Sequence, residues 1–283
     1  MKDFATVFQR PKGMRLYIIH TGNVHMNGNI HFNKKSPLFP TKPIDTRFNP
    51  VYCYLIEHPK HGFCLIDTGI HSDFVTNKIG NFGPLVGKII QVKTQKGMDV
   101  LSQIASIGLG VKDIRHIVMT HLHPDHSSGL PLLKDSGCMI YTDYKELKTA
   151  SSPLGMMNGY LKKHWQGFQI EFFKYNLTIP SFDKVADLFG DESIFVISTY
   201  GHTEGNVSIL LNMEGGPVLL TGDAAHRRDN LMSRIPTKGD YSTGLISINQ
   251  LADFVEANPL INVLYSHDPQ QFNELKLFPE YYE

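Results

Sequence analysis

The chain has 283 residues, 41% hydrophobic and 19% charged, and its 27 lysines and arginines balance its 27 aspartates and glutamates. A formal charge of zero gives no electrostatic hold on nucleic acid or an anionic membrane, which argues against a nuclease or a membrane-surface protein. No run of about 18 or more apolar residues marks a membrane span, and Cys53, Cys64 and Cys138 are too few and too far apart for a disulfide framework or a CxxC zinc site. The first residues lack the apolar stretch of a signal peptide, so a cytoplasmic protein in a reducing compartment is expected.

Runs rich in Val, Ile, Tyr and Phe that stop at turn residues predict strands. The first covers 15–20. The polar, Asn- and Pro-containing segment 21–45 reads as a long loop, either functional or a surface connection. Strands follow at 51–57 and 62–66. Residues 96–107 place apolar side chains at helical spacing and end near Gly108 and Gly110, which predicts a helix. Strands at 114–120 and 139–141 lead to helices over 144–150 and 160–165. Strands at 193–198, 206–211 and 217–220, a helix at 246–257 and a strand at 261–265 complete the series. No repeat, low-complexity block or linker divides the chain, so 1–283 reads as a single domain. Strands mixed with helices argue for an α/β or α+β layered fold.

The chemistry concentrates after the strand at 114–120, in His121, Leu122, His123, Pro124, Asp125 and His126. Alternation along an extended chain sends His121, His123 and Asp125 to one side, and His126 then requires a turn, which Ser127, Ser128 and Gly129 suit. Three imidazoles and a carboxylate crowded at a strand end would repel or desolvate one another without a cation. These are the ligand types that zinc and similar borderline divalent ions prefer. His202, Asp223 and His267 each lie just beyond a predicted strand, flanked by Gly or Ser. Seven donors exceed the needs of one four-coordinate zinc. They suit two divalent metal ions, with zinc the expected metal, that share a bridging carboxylate and a bridging water.

The sequences HLHPDH at 121–126, GH at 201–202, TGD at 221–223, SH at 266–267 and DTG at 67–69 resemble the metallo-β-lactamase superfamily, over about residues 14 to 280. The resemblance implies an αββα sandwich: two mixed β-sheets packed together, with helices on the outer faces. Within the superfamily the chain is most similar to the N-acyl homoserine lactonases, through VYCYLIEH at 51–58, HLHPDHSSG at 121–129 and the LFPEYYE ending. By position, His121, His123 and His202 would hold the first metal, Asp125, His126 and His267 the second, and Asp223 would bridge. An Asp at 223 sets the chain apart from zinc β-lactamases, which commonly carry Cys there. The complete histidine set distinguishes it from flavodiiron proteins.

The implied reaction is quorum-quenching hydrolysis, in which a hydroxide generated between the metals opens the lactone ring of an N-acyl homoserine lactone. Asp125 or Asp223 would pass a proton to the leaving alkoxide. Alternatives are hydrolysis of an aryl ester, thioester or phosphotriester at the same site, or a non-hydrolytic metal or redox protein, which would need iron. Asp67 either orients a ligand histidine or caps a turn. Two departures stand out. The lactonases often carry Tyr three residues after the bridging Asp, and here that position is His226, either a carbonyl-polarising donor or a surface residue beside Arg227, Arg228 and Asp229. The second is a longer 144–180 region, whose 151–157 and 168–175 stretches are rich in Met and aromatics. It reads either as an apolar lid or acyl-chain channel, or as core packing or a homodimer contact.

Overall fold

The computed structural model describes residues 12–26, 28–40, 48–84 and 86–283. Among these, seven strands form one mixed sheet: β1 (Arg15–His25), β2 (Phe48–His58), β3 (Gly62–Ile66), β4 (Val92–Lys93), β5 (Ile114–Val118), β6 (Met139–Thr142) and β7 (Ile170–Phe172), in the order β4-β1-β2-β3-β5-β6-β7. Six more form the second sheet: β8 (Leu177–Ile179), β9 (Phe182–Asp187), β10 (Ile194–Ser198), β11 (Val207–Leu211), β12 (Val218–Leu220) and β13 (Asn262–Leu264), in the order β13-β12-β11-β10-β9-β8.

Alternation along the strands builds three apolar layers. Leu16, Ile18, Ile56, Ile66 and Val118 of the first sheet meet Val196, Ile209, Leu211 and Leu220 of the second. The intervening side chains face outward yet are also buried. Tyr17, Ile19, Leu55 and Leu65 pack on Val100 and Ile104 of the helix Val100–Ala105. Phe195, Ile197, Leu210 and Leu219 pack on Ile248, Leu251 and Phe254 of the helix Tyr241–Ala257. Burial on both faces explains the nearly unbroken apolar runs of β2, β10 and β11. Each such Leu or Ile contributes roughly 1.5–3 kcal/mol relative to exposure. The architecture is the expected αββα sandwich.

Several local expectations need correction. The strand predicted at 15–20 runs on to His25, and Gly28–His31 forms a helical turn, so the first part of the presumed 21–45 loop is ordered and largely buried. Residues 41–45 of that loop lie outside the described residues. The helix predicted over 96–107 is shorter, with the Asp99 carboxylate accepting from Ser102 N at its start. The helix predicted from 246 begins at Tyr241, capped by Asp240. Its first turn, Tyr-Ser-Thr-Gly, holds weak helix formers, and the cap compensates for them. The stretch at 160–165 is a 3₁₀ turn, Lys162–His164.

Candidate metal centre

Strands β3, β5 and β6 run parallel, as do β12 and β13, so their C-terminal ends and the loops that follow collect at one rim of the sandwich. Asp67 follows β3, His121 follows β5, His202 follows β10, Asp223 follows β12 and His267 follows β13. The motif at 121–126 is not extended throughout, contrary to the alternation argument. Pro124 starts a single helical turn, Pro124–Ser127, which brings Asp125 and His126 round to the same centre.

All seven proposed ligand residues meet there. His121, His123 and His202 bring ligand atoms within 4.8 Å of one another, and so do Asp125, His126 and His267. Asp223 stands between the two trios. Its Oδ2 lies 3.7 Å from His121 Nε2 and 3.3 Å from His202 Nε2. Its Oδ1 lies 3.3 Å from His126 Nε2 and 3.5 Å from His267 Nε2. His267 Nε2 is also 3.6 Å from Asp125 Oδ2. One carboxylate oxygen faces each trio, an arrangement that suits a bridging ligand.

The second nitrogen of each ring shows which way the lone pair points. His267 Nδ1–H donates to the Pro50 carbonyl at 2.8 Å, and His202 Nδ1–H to the Lys238 carbonyl at 3.1 Å. His126 Nδ1–H donates to Asp67 Oδ2 at 2.8 Å. His121 Nδ1 lies 3.2 Å from Thr120 Oγ1, whose own proton goes to Asp67 Oδ2, so His121 is the donor. His123 turns the other way: its Nδ1 faces His202 Nε2 at 3.0 Å, and a hydrogen bond to the Asn158 backbone takes up its ring proton. Every one of these rings therefore directs a lone pair inward. The inward Nε2 atoms of His121, His126 and His267, with Asp223 Oδ1, are buried and have no hydrogen-bond partner in the protein. Buried lone pairs without donors are costly, and divalent cations between them remove that cost, so the residues fit a dinuclear site.

The electrostatics agree. Burial pushes His121 and His202 well below the ordinary imidazole value and keeps them neutral, the form that ligates. Burial alone would raise the Asp223 carboxyl, but His226, His126, His267 and His121 outweigh it and hold the group well below the usual carboxylate range. At His126 burial is outweighed by Asp223, Asp67 and Asp125, which raise the ring, so a cation competes with a proton there.

The centre opens into a cavity of about 1330 Å³. Val24, Met26, Ile30, Ile90 and Met157 line it, along with the edges of His123, Asp125, His202, Asp223 and His226.

The metallo-beta-lactamase superfamily model matches residues 46–264. The chain belongs to this superfamily. The family and the donor set together make it a metal-dependent hydrolase with a site for two divalent cations. Its sequence is 28% identical to an N-acyl homoserine lactonase from a Bacillus species over 270 residues, covering 94% of this chain and 98% of that protein. It is 27% identical, with the same coverage, to the N-acyl homoserine lactonase AiiA of Bacillus thuringiensis subsp. kurstaki. Among solved structures, an N-acyl homoserine lactone hydrolase with N-hexanoyl-L-homoserine at its catalytic metal center superposes with a TM-score of 0.77 at 23% identity, covering 96% of this chain and all of that one. The dizinc quorum-quenching lactonase AidC gives 0.64 at 16%, covering 96% and 90%.

Four further residues shape the centre. Asp67 holds a left-handed backbone, φ 58°, and from there accepts from Thr120 N at 2.8 Å, Thr120 Oγ1 and His126, so it orients the ligand loop. Glu146, fully buried, accepts from Leu122 N at 2.8 Å and Gly205 N at 3.2 Å and ties the 121–123 loop to the loop of His202. Asn206 Oδ1 accepts from Asp223 N at 3.1 Å. His31 sits against His226, their Nδ1 atoms 3.2 Å apart. Asp67 was legible in the sequence. Glu146 was not, because a lone Glu on a short helix looks solvent-exposed. His226 itself is fully buried, which overturns the surface alternative for it. The 144–180 region is divided. Tyr160 and Trp165 are buried in the core, while Met156 and Met157 are exposed, Met157 at the cavity wall.

Proposed function

We propose that the chain hydrolyses N-acyl homoserine lactones at a dizinc centre. The observation that carries this reading is the set of six inward-facing donors around Asp223, itself the seventh, opening onto a cavity with an apolar wall. The likeness to lactonases supports it. His121, His123 and His202 would hold one cation and Asp125, His126 and His267 the other, with Asp223 placed between them. When bound, the cations supply Lewis acidity and a nucleophilic water at neutral pH.

The chain's own residues do the rest. Val24, Met26, Ile30 and Met157 take the acyl chain and exclude water from it. The water oxygen adds to the lactone carbonyl carbon, and the ring C–O bond breaks. Asp125, at the cavity wall, accepts the proton from the water and returns it to the leaving homoserine alkoxide. His226 Nε2, 3.0 Å from Asp223 Oδ2, faces the position where the substrate oxygens would lie. The product is the open N-acyl homoserine, its new carboxylate formed from the lactone carbonyl.

The test is proton release on adding short- and long-chain N-acyl homoserine lactones, with metal content measured on the same sample. Chelator-sensitive ring opening with two metals per chain is expected. Two metals without lactone turnover would overturn the substrate assignment and direct attention to aryl esters, thioesters and phosphotriesters.

A further inference from the structure

His226 stands where distance alone does not define its role. Its Nε2 is 3.0 Å from Asp223 Oδ2, and His202, Asp223 and His226 bring ligand atoms within 4.8 Å of one another. By proximity His226 is as good a metal ligand as His267. The hydrogen bonds behind it decide otherwise.

His226 Nδ1 faces His31 Nδ1 at 3.2 Å, the two rings nearly perpendicular at 88°. On the far side of His31, its Nε2 lies 3.2 Å from an Arg227 guanidinium nitrogen, which also donates to Asn49 Oδ1. A guanidinium has donors only and does not lose its proton in proteins. His31 Nε2 must therefore accept. A ring nitrogen that accepts carries no proton, so each ring keeps its single proton on its other nitrogen. The single proton of His31 then sits on Nδ1 and is donated to His226 Nδ1. The reverse arrangement, with His226 donating, would ask His31 to accept at both nitrogens, which a neutral imidazole cannot do. The single proton of His226 is left on Nε2, pointing at Asp223 Oδ2 and the cavity.

The scaffold holds this relay firmly. Asn230 Nδ2 donates to the His31 carbonyl at 2.7 Å and to the Ile235 carbonyl at 2.9 Å, and Asn230 Oδ1 accepts from Arg227 N at 3.0 Å. One buried Asn thus ties the backbones of His31 and Arg227 together, and both His31 and His226 are fully buried.

We propose that Arg227 and His31 form a tautomer lock that keeps the His226 proton on Nε2, so that His226 is a hydrogen-bond donor into the cleft and not a metal ligand, and His31 is its positioning residue. The lock rests on geometry alone. Its effect on turnover rests on the lactonase reading, in which the Nε2–H meets the oxygen that gains charge as the carbonyl is attacked.

The experiment is a long-range proton–nitrogen spectrum of zinc-loaded protein labelled with nitrogen-15 at histidine, with His226 assigned from His226→Phe. The lock requires a pyrrole-type Nε2 and a pyridine-type Nδ1 on His226. In His31→Phe those signals move toward a mixture of tautomers, and kcat on an acyl homoserine lactone falls by roughly tenfold to a hundredfold with KM little changed. In His31→Asn the side-chain amide N–H occupies the place of Nδ1–H, and both the signals and kcat recover. Should His31→Phe fail to fold, Arg227→Met supplies the same loss. A wild-type His226 protonated on Nδ1, or a fall in bound zinc in His226→Phe, would overturn the proposal. Absence of lactone turnover with the required nitrogen shifts present would count against the lactonase reading and leave the lock standing.

Discussion

Two histidine clusters sit at opposite ends of strand β3. One is the metal centre beyond Ile66. The other lies where β2 meets β3, with His58 opposite Gly62. There His58, His61 and Asp191 also bring potential ligand atoms within 4.8 Å of one another. His58 Nε2 is 3.5 Å and His61 Nε2 3.3 Å from Asp191 Oδ2. Residue types and spacing are those of a metal site, but the outer nitrogen differs. At the metal centre the outer ring nitrogens donate to carbonyl, hydroxyl or carboxylate oxygens, which frees the inner lone pairs. At the second cluster His58 Nδ1 accepts from the backbone N–H groups of Lys60 and His61, both at 3.1 Å. Its proton is therefore on Nε2, directed at Asp191, and no lone pair is left for a cation. The lesson is that the group behind an imidazole, more than the density of imidazoles, decides whether a cluster takes metal.

The comparison can be broken most sharply by removing a ligand. His267→Ala deletes a lone pair facing both Asp125 and Asp223, so the variant is expected to lose one metal and on the order of a thousandfold in turnover. Full metal content in that variant would contradict the ligand set.

A middle-sized effect is expected at Glu146, which supports the centre without touching a metal. Glu146→Ala leaves Leu122 N and Gly205 N without their acceptor, at about 1–3 kcal/mol each. Thermal or denaturant unfolding measures the loss, and an unchanged midpoint would remove Glu146 from the account. The pH dependence sharpens this. Burial pushes the Glu146 carboxyl up to about 7, with the hydrogen bonds from Thr203, Leu122, Tyr160 and Gly205 opposing it. Because the folded value lies above the unfolded one, the folded state binds the extra proton. Its stabilising contribution is complete below the unfolded value of 4.5 and is lost as pH rises through about 7. Relative to Glu146→Gln, the wild type is expected to lose on the order of 3 kcal/mol across that window. A constant difference between the two proteins would show that Glu146 stays ionised.

The smallest effect belongs to the second cluster. Metal analysis of His58→Gln and His61→Ala is expected to match the wild type, and so is turnover. Loss of a bound metal in either variant would show that the backbone donors to His58 do not govern its lone pairs.

The contrast also explains what the sequence made legible. The ligands were readable because each follows an apolar strand, and the strand ends converge by topology alone. Strand β3 and the helix Tyr144–Ala150 were located to the residue because turn residues and the Asp143 cap bound them. The hairpin β8–β9 was not, since its burial is irregular and charged Asp183 and Lys184 interrupt the alternation. His31 was hidden for another reason. Its partners, His226, Arg227 and Asn230, lie nearly two hundred positions away, and within its own segment it is one polar residue among many. Outer-nitrogen partners are likewise tertiary: the Pro50 carbonyl behind His267 has no local signature.

The most direct measurement is anomalous diffraction from crystals of the zinc-loaded protein. The account predicts two peaks flanking Asp223, one among His121, His123 and His202 and the other among Asp125, His126 and His267, with neither His226 Nε2 nor the His58, His61 and Asp191 cluster within bonding distance of a metal. A single peak, a zinc bound to His226, or a peak at His58 would contradict it.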